Sequence, residues 1–315
     1  MTTDPANGFD ARLKSLWDDR EARGAIQYPI RDLRRRAAGR LRVQCNPARV
    51  QKEEHARRPL RDETPVVQPF GTTDDFLRIR RRAPLQWLFE ERVGGRTLAF
   101  HVNYAPVLRH HFLLIPDPGA RLPQVLDERA FEAAFDALEL SAAPELYLGF
   151  NSLGCWASIN HLHFQGVYYP EGRMGVSRMP RRVLGEGPDC RLERVLEYPL
   201  GCGVLSGGGR AALARTAAAL VRRLLRANVA HTLLVTHGEV YVFPRGRGRG
   251  RLVPTGAGFF ESGGEIFVGE PALYERVTEG ELRDELEACA LPAEEQEPLF
   301  AAWIADLEAA GPPAR

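Results

Sequence analysis

The stretch from residue 149 to residue 165, GFNSLGCWASINHLHFQ, constrains the fold and chemistry of this chain more than any other. At its end, polar residues alternate with apolar ones: His161, His163 and Gln165 with Leu162 and Phe164. Because side chains two positions apart on a strand share a face, the pattern predicts a strand with both imidazoles and the carboxamide on one face. The turn before it is rich in Gly, Asn and Ser, whose backbone N–H groups suit an anion. The arrangement favours an imidazole that attacks a phosphorus centre.

Two other interpretations of the histidine pair are open. An H-x-H pair occurs on ordinary half-buried strands, and it can also bind a metal ion. Neither Cys155 nor any acidic residue stands at customary zinc spacing from the pair, and the chain has no C-x-x-C motif. The Gln at the third alternate position and the approach rich in Asn and Ser disfavour a purely structural pair. We therefore expect no metal site and no cofactor.

The same stretch resembles the histidine-triad superfamily, which has an H-x-H-x-(H/Q) strand and whose nucleotidyl-transferring branch carries Gln at the third position. Within that branch, N-S-L-G-x-x-A-S-I-N-H-L-H-F-Q is similar to the GDP-hexose phosphorylases of GDP-L-galactose and GDP-D-glucose. The resemblance implies that His163 is the nucleophile and that His161 orients it, through a backbone carbonyl. It also implies that Gln165 donates its amide to phosphate and that Ser158 lies on phosphate.

Further motifs in the same order extend the resemblance back to about residue 13: L-W-x-D-R-x-x-R-G, N-x-x-R, R-P (Arg58-Pro59), Q-P-F, N-x-x-P and H-x-L-L-I-P. They imply a set of phosphate- and nucleotide-binding residues in addition to Ser158. These are Asn46, Arg49, Asn103, His111, Asn151, Ser152, Gly154 and Asn160. Asn160 is also expected to steady the turn, and His110 stands where the family usually has Gly.

Periodicity predicts an α+β fold. Strands are expected at 85–89, 97–103, 112–116 and 146–150, and helices at 9–23 and 127–140, the second capped by Asp127. The resemblance makes this a histidine-triad-like antiparallel sheet with helices packed on it. Residues 228–235 weakly resemble residues 103–115, which indicates two fused halves. We therefore predict an N-terminal arm that contributes to the pocket (1–84), a catalytic half (85–188) and a degenerate second half with C-terminal helices (189–315).

Two basic segments are interpreted from their polar composition. The Arg-rich run from Arg31 to Arg42 is interpreted as a solvated face. The polar, Gly-rich segment from Gly172 to Pro188 is interpreted as a long loop near the site.

Composition excludes some partners. With 42 basic and 41 acidic residues the net charge is +1, which argues against general nucleic-acid binding. No apolar run reaches membrane-spanning length, and the N-terminus has no export signal. Five scattered cysteines predict free thiols in a reducing cytoplasm. The resemblance allows a homodimer.

The expected function is phosphorolysis of a nucleoside-diphosphate hexose through a covalent nucleotidyl-histidine. The resemblance implies that a GDP-hexose and inorganic phosphate give GDP and hexose 1-phosphate. The alternatives are a dinucleoside polyphosphate phosphorylase, a hexose-1-phosphate nucleotidyltransferase, or a non-catalytic nucleotide-binding protein.

Overall fold

The computed structural model describes residues 5–49, 65–71, 75–248, 250–253 and 257–309. In chain order its longer elements are α1 (Pro5–Ala22), β1 (Arg34–Ala38), β2 (Leu41–Cys45), α2 (Phe76–Arg82), β3 (Trp87–Val93), β4 (Arg96–Val102), β5 (Phe112–Pro116), α3 (Glu128–Glu139), β6 (Leu146–Asn151), β7 (Phe164–Tyr168), β8 (Arg181–Glu186), β9 (Arg191–Val195), β10 (Gly203–Ser206), α4 (Arg210–Arg226), β11 (Ala230–Val235), β12 (Glu239–Arg245), α5 (Phe259–Ser262), β13 (Glu265–Phe267), α6 (Pro271–Arg276), α7 (Glu279–Glu287) and α8 (Ala293–Ala309).

One antiparallel sheet organises the described part of the chain. Its ten strands run in the order β3-β4-β5-β7-β6-β11-β12-β10-β9-β8. The first five come from the segment that contains the histidine motif, and the last five come from the segment after it. The two groups meet where β6 pairs with β11, with Asn151 opposite Thr232. The predicted domain boundaries at 84 and 188 stay a prediction.

The long helices α1, α3, α4 and α8 pack on one face of this sheet, and α5, α6 and α7 are buried in a second core on the other face. Asp127 begins α3 by accepting a hydrogen bond from the Ala130 N–H (2.9 Å), as predicted. Phe131 and Phe135 of α3 are buried in a core that Trp303 of α8 also joins. The α+β prediction is confirmed. None of the described helices combines the length and apolarity that a membrane span requires.

Local signals placed the six predicted helices and strands within a few residues of their observed bounds. Strand β5 has its predicted bounds, and the hairpin between β3 and β4 turns at Gly94 and Gly95, both at positive φ. The first predicted strand starts late, because Pro84–Gln86 forms a 3₁₀ turn and β3 begins at Trp87. Helix α1 ends as predicted before Gly24, which has φ +76°.

The interpretation of the Arg-rich run as a solvated face holds for Arg31, Arg34 and Arg40, which are exposed, but is wrong for Arg35 and Arg36. Residues 34–38 form β1 of a small second sheet, β1-β2-β13. Arg35 is half-buried and forms ion pairs with Glu265 and with Glu171 (2.8 Å). Arg36 donates to the carbonyl of Tyr274 (2.9 Å). The sequence did not show this because every one of these partners is more than 130 residues away.

The interpretation of Gly172–Pro188 as a long loop is also wrong. A 3₁₀ turn at Gly175–Arg178 is followed by β8, which pairs with β9. Arg181 forms an ion pair with Glu239 (2.5 Å) of the distant strand β12. A polar, glycine-containing strand at a sheet edge has little local signal, so its order comes from these partners.

Candidate active site

The two histidines of the motif lie before the strand and not on it. Strand β7 begins only at Phe164, so the predicted strand over His161 and His163 is wrong. The Leu162 N–H donates to the Leu122 carbonyl (2.8 Å), outside the sheet. Leu162 and Phe164 still enter the core, as predicted. Residues 122–124 therefore hold the histidine segment in place of a neighbouring strand.

Gln124 fixes the backbone of His163. It is 1% exposed, and its Oε1 accepts the His163 N–H (2.9 Å). Its Nε2 donates to the carbonyls of His163 (3.2 Å) and Asn151 (3.0 Å). One buried amide thus connects the histidine segment to the end of β6.

A hydrogen bond sets the tautomer of His163. The Nδ1–H of His163 donates to the carbonyl of His161 (2.7 Å), which is the backbone contact predicted for His161. The proton on Nδ1 leaves the lone pair on Nε2. Burial lowers the pKa of His163 to about 4, so the ring is neutral at physiological pH. A neutral imidazole with an unprotonated Nε2 is the form that acts as a nucleophile.

His163 lines a cavity of about 480 Å³, within the range of nucleotide-sized sites. The described residues that line it are Phe76, Ile79, Gln86, His101, Asn103, Tyr104, Ala105, Leu113, Trp156, Ser158, Ile159, His163 and Gln165. The cavity therefore brings together four of the predicted site residues: His163, Gln165, Ser158 and Asn103.

Asn103 orients the carboxamide of Gln165. Its Nδ2 donates to Gln165 Oε1 (3.4 Å), and its own Oδ1 accepts the N–H of Ala105 (3.0 Å). With its oxygen occupied in this way, Gln165 has its NH₂ group available as a donor to a bound oxyanion.

His111 is buried behind this pair and is not among the described residues that line the cavity. It is 1% exposed, its Nδ1 accepts the N–H of Val107 (3.1 Å), and its Nε2 lies 3.0 Å from Asn103 Nδ2. Burial lowers the pKa of His111 to about 3. Because Nδ1 of this neutral ring accepts, the proton is on Nε2, and it cannot bond to the NH₂ donor of Asn103. His111 therefore lies behind Asn103 and Gln165 and off the described wall of the cavity.

His161 is fully buried beneath the site. Its Nδ1 accepts the N–H of Phe76 (3.3 Å) and lies 3.5 Å from the carboxylate of Asp75. Burial lowers the pKa of His161 to about 4, although Asp75 acts to raise it. The side chain thus positions α2, and the carbonyl acts on His163.

Four residues of the predicted anion-binding turn have structural roles in the protein. Asn151 accepts from the hydroxyl of Thr232 (3.2 Å), and Ser152 Oγ accepts the N–H of His231 (2.9 Å). Gly154 has φ +80°, which glycine adopts at low cost. None of these three is among the described residues that line the cavity.

Asn160, the fourth, steadies the turn as predicted. Its Oδ1 accepts the N–H of Gln124 (2.9 Å), and its Nδ2 donates to the carbonyl of Pro69 (2.9 Å) in the Q-P-F motif. It therefore connects the turn both to the residue that holds His163 and to the N-terminal arm.

The arm residues Asn46 and Arg49 are not among the described residues that line this cavity, although the charge of Arg49 helps to lower the pKa of His111. Asn46 donates to the carbonyl of Pro29 (3.0 Å), and the Arg49 guanidinium lies 3.9 Å from the centre of the Phe267 ring. The R-P motif at Arg58-Pro59 lies outside the described residues. Within the described ranges, no group of three or more His, Cys, Asp or Glu residues is placed to hold a metal ion.

Comparison with known proteins identifies the family. Models described as GDPGP1-like, N-terminal domain, and GDPGP1-like, C-terminal domain, match residues 8–167 and 176–309. The chain belongs to the GDPGP1-like family.

Curated relatives of this GDPGP1-like chain include GDP-D-glucose phosphorylase 1 of Danio rerio, 30% identical over 233 residues (73% of this chain and 66% of the relative). GDP-D-glucose phosphorylase 1 of Homo sapiens is 33% identical over 251 residues (74% and 62%). GDP-L-galactose phosphorylase 1 of Arabidopsis thaliana is 33% identical over 111 residues (34% and 24%). The chain thus spans less than two thirds of the length of each of these relatives.

Solved structures share the fold of the GDPGP1-like chain. Yeast Ap4A phosphorylase Apa2 in complex with Ap4A superposes with a TM-score of 0.64 at 16% identity, covering 90% of this chain and 98% of that one. The same enzyme in complex with AMP gives 0.62 at 18% identity, covering 89% and 97%. The predicted histidine-triad-like fold is confirmed.

Sequence reasoning missed three residues of this GDPGP1-like site: Gln124, Phe76 and His101. Gln124 and Phe76 act through contacts more than 30 residues away, which no local pattern shows. The sequence did carry a signal for His101: it stands two positions before Asn103, so the two side chains are expected on the same face at the end of β4. His110, noted as unusual, adopts φ +61° and places its Nε2 3.0 Å from Asp18 Oδ1. That conformation explains why glycine suits this position.

Proposed function

We propose that this chain catalyses phosphorolysis of a GDP-hexose, giving GDP and hexose 1-phosphate. The observation that carries the proposal is the state of His163: a neutral ring on the cavity wall, with its Nδ1–H on a carbonyl and its lone pair on Nε2. The names of the family's curated relatives supply the substrate class.

The reaction proceeds in two displacements at the α-phosphorus. His163 Nε2 forms a bond to this phosphorus while the bond to the bridging oxygen breaks, and hexose 1-phosphate leaves with that oxygen. Inorganic phosphate then attacks the same phosphorus, the N–P bond breaks, GDP forms and the neutral imidazole returns. The His161 carbonyl stabilises the positive charge that develops on the ring during each step.

Cavity donors stabilise the negative charge on the non-bridging oxygens. The Gln165 amide and the Ser158 hydroxyl both line the cavity beside His163. Preorganised donors of this kind contribute about 100- to 1000-fold in rate each. We therefore expect Gln165→Ala to slow turnover and His163→Asn to abolish it.

The test measures products from GDP-glucose, GDP-mannose, UDP-glucose and Ap4A, each with and without phosphate, by chromatography. We expect GDP to form from the GDP-sugars only when phosphate is present. Fastest turnover of Ap4A would instead assign the chain to the dinucleoside polyphosphate phosphorylases. A His163→Asn variant that retains full activity would refute the mechanism.

Trapping the adduct separates an enzyme from a protein that only binds nucleotides. A GDP-sugar labelled at the base-side phosphate, incubated without inorganic phosphate, should leave acid-labile label on wild type. The His163→Asn variant should stay unlabelled while it still binds GDP. Binding with no label on wild type would support the non-catalytic alternative. The cytoplasmic location and the homodimer stay predictions.

A further inference from the structure

We propose that His101 selects the base of the nucleotide, by accepting at Nε2 a hydrogen bond from the N–H donors on the Watson–Crick edge of guanine. The inference rests on the proposed function, because it identifies what holds the nucleotide of that substrate.

The Nε2 of His101 is a buried acceptor in need of a donor. His101 is 2% exposed, and its Nδ1–H donates to the carbonyl of Val102 (2.6 Å). The lone pair therefore lies on Nε2, which has no hydrogen-bond partner among the described residues. Burial lowers the pKa of His101 to about 4, which keeps the ring neutral. Because buried polar atoms are nearly always paired in native proteins, such an atom on a cavity wall indicates a ligand.

The cavity around His101 suits a planar base better than a sugar. His101 lies opposite Leu113 across the β4–β5 ladder, and the neighbouring wall is apolar, formed by Phe76, Ile79 and Ile159. A nucleobase has apolar faces and a polar edge, whereas a hexose has hydroxyls all round. This part of the wall, apolar beside the His101 acceptor, matches the base.

The same cavity reaches the reacting group. The Phe76 ring centre lies 5.2 Å from that of His163 and 5.9 Å from that of His101. Both imidazoles thus border the Phe76 ring, and the proposal places the α-phosphate of one nucleotide at His163 and its base at His101.

Polarity then distinguishes the purines. Guanine carries N1–H and N2–H₂ donors on its Watson–Crick edge, whereas adenine in the same orientation has the N1 lone pair and a C2–H. Two acceptors that face each other in a dry cavity are both left unpaired, and sites of this kind reject the mismatched analogue.

A structural explanation competes with this one. The Trp87 ring is perpendicular to that of His101, with centres 5.9 Å apart, and its Nε1–H also has no partner among the described residues. A buried water that bridges Trp87 Nε1 and His101 Nε2 would satisfy both atoms without any ligand. The experiment must separate this water from the base.

Binding of GMP, IMP, AMP and UMP, measured by calorimetry on the full chain, provides the test. We expect wild type to prefer GMP to AMP and His101→Leu to lose GMP affinity by about 10- to 100-fold while AMP affinity changes little. Retained affinity for IMP would assign the contact to N1–H, and loss of it to the amino group. His101→Gln, which keeps an acceptor, should retain the preference if the leucine variant fails to fold.

Ile79→Ala is the matched control, because it alters the same wall without changing hydrogen bonding. It should lower GMP and AMP affinity by a similar factor. The inference is overturned if wild type shows no preference for GMP, or if His101→Leu changes both affinities alike, as the bridging water requires. Because binding needs no turnover, a GMP preference without phosphorolysis would refute the proposed function alone.

Discussion

Replacing Gln124 by methionine removes every hydrogen bond of its amide while keeping a side chain of similar length. The His163 N–H loses its acceptor at 2.9 Å, and the carbonyls of His163 and Asn151 lose donors at 3.2 and 3.0 Å. A buried unpaired group costs about 1–3 kcal/mol, and the carbonyls, with a second lone pair each, lose less than the N–H. We expect the free energy of unfolding to fall by about 2–4 kcal/mol.

Activity should fall further than this loss of stability explains. Without Gln124, the backbone of His163 relaxes, and a displacement of about 1 Å at a reacting group costs about 100-fold in rate. Gln124 is not among the described residues that line the cavity, so KM for the proposed nucleotide-sugar substrate should stay nearly constant while kcat falls. Denaturant unfolding and steady-state kinetics on the same preparations measure both effects.

Gln296→Met is the matched control for Gln124→Met. Gln296 is also buried, and its amide donates to the carbonyl of Leu291 at the start of α8, far along the chain from the site. It should lower stability but leave kcat unchanged. If Gln124→Met destabilises the protein and kcat stays at the wild-type value, then Gln124 does not position His163.

Two further predictions concern stability. Folding holds the pKa of several histidines below the ordinary 6.5, so the unfolded chain takes up protons first as the pH falls. The free energy of unfolding should therefore decrease from about pH 6.5 towards pH 4 in denaturant titrations. A flat profile would contradict the buried neutral rings. Gly149→Ala should destabilise the fold by about 1–3 kcal/mol in thermal melting, because its Cβ would lie 2.0 Å from the Phe259 ring. Gly238→Ala is the control: its Cβ would meet no other residue within 4 Å, so it should be nearly neutral in the same assay.

The sequence predicted elements whose signals are local. Strand β5 and helix α3 follow from an apolar run and from a 3.6-residue period with an Asp cap, and both formed at those residues. The sequence predicted which residues of the motif accompany His163 at the cavity, because the motif is long. Their backbone was not, because Leu122 and Gln124 replace the strand neighbours of His161 and His163.

Tertiary partners explain the other differences. The Arg-rich run became β1 because Glu171 and Glu265 neutralise Arg35 from distant parts of the chain. Asn151 and Ser152 were expected at phosphate, yet β11 uses both of them. A pattern of polar residues shows that hydrogen bonds are needed, but only the fold decides whether a ligand or another strand supplies them.

The pairing of β6 with β11 means that the half without the histidine motif is needed by the half that has it. Thr232 and the His231 N–H bond to Asn151 and Ser152, at the start of the turn that leads to His163. If the chain were cut between the halves, β6 would become an open edge with unpaired backbone groups, ready to join another chain. The motif-bearing fragment should therefore aggregate when it is expressed alone and recover when the second half is supplied in trans.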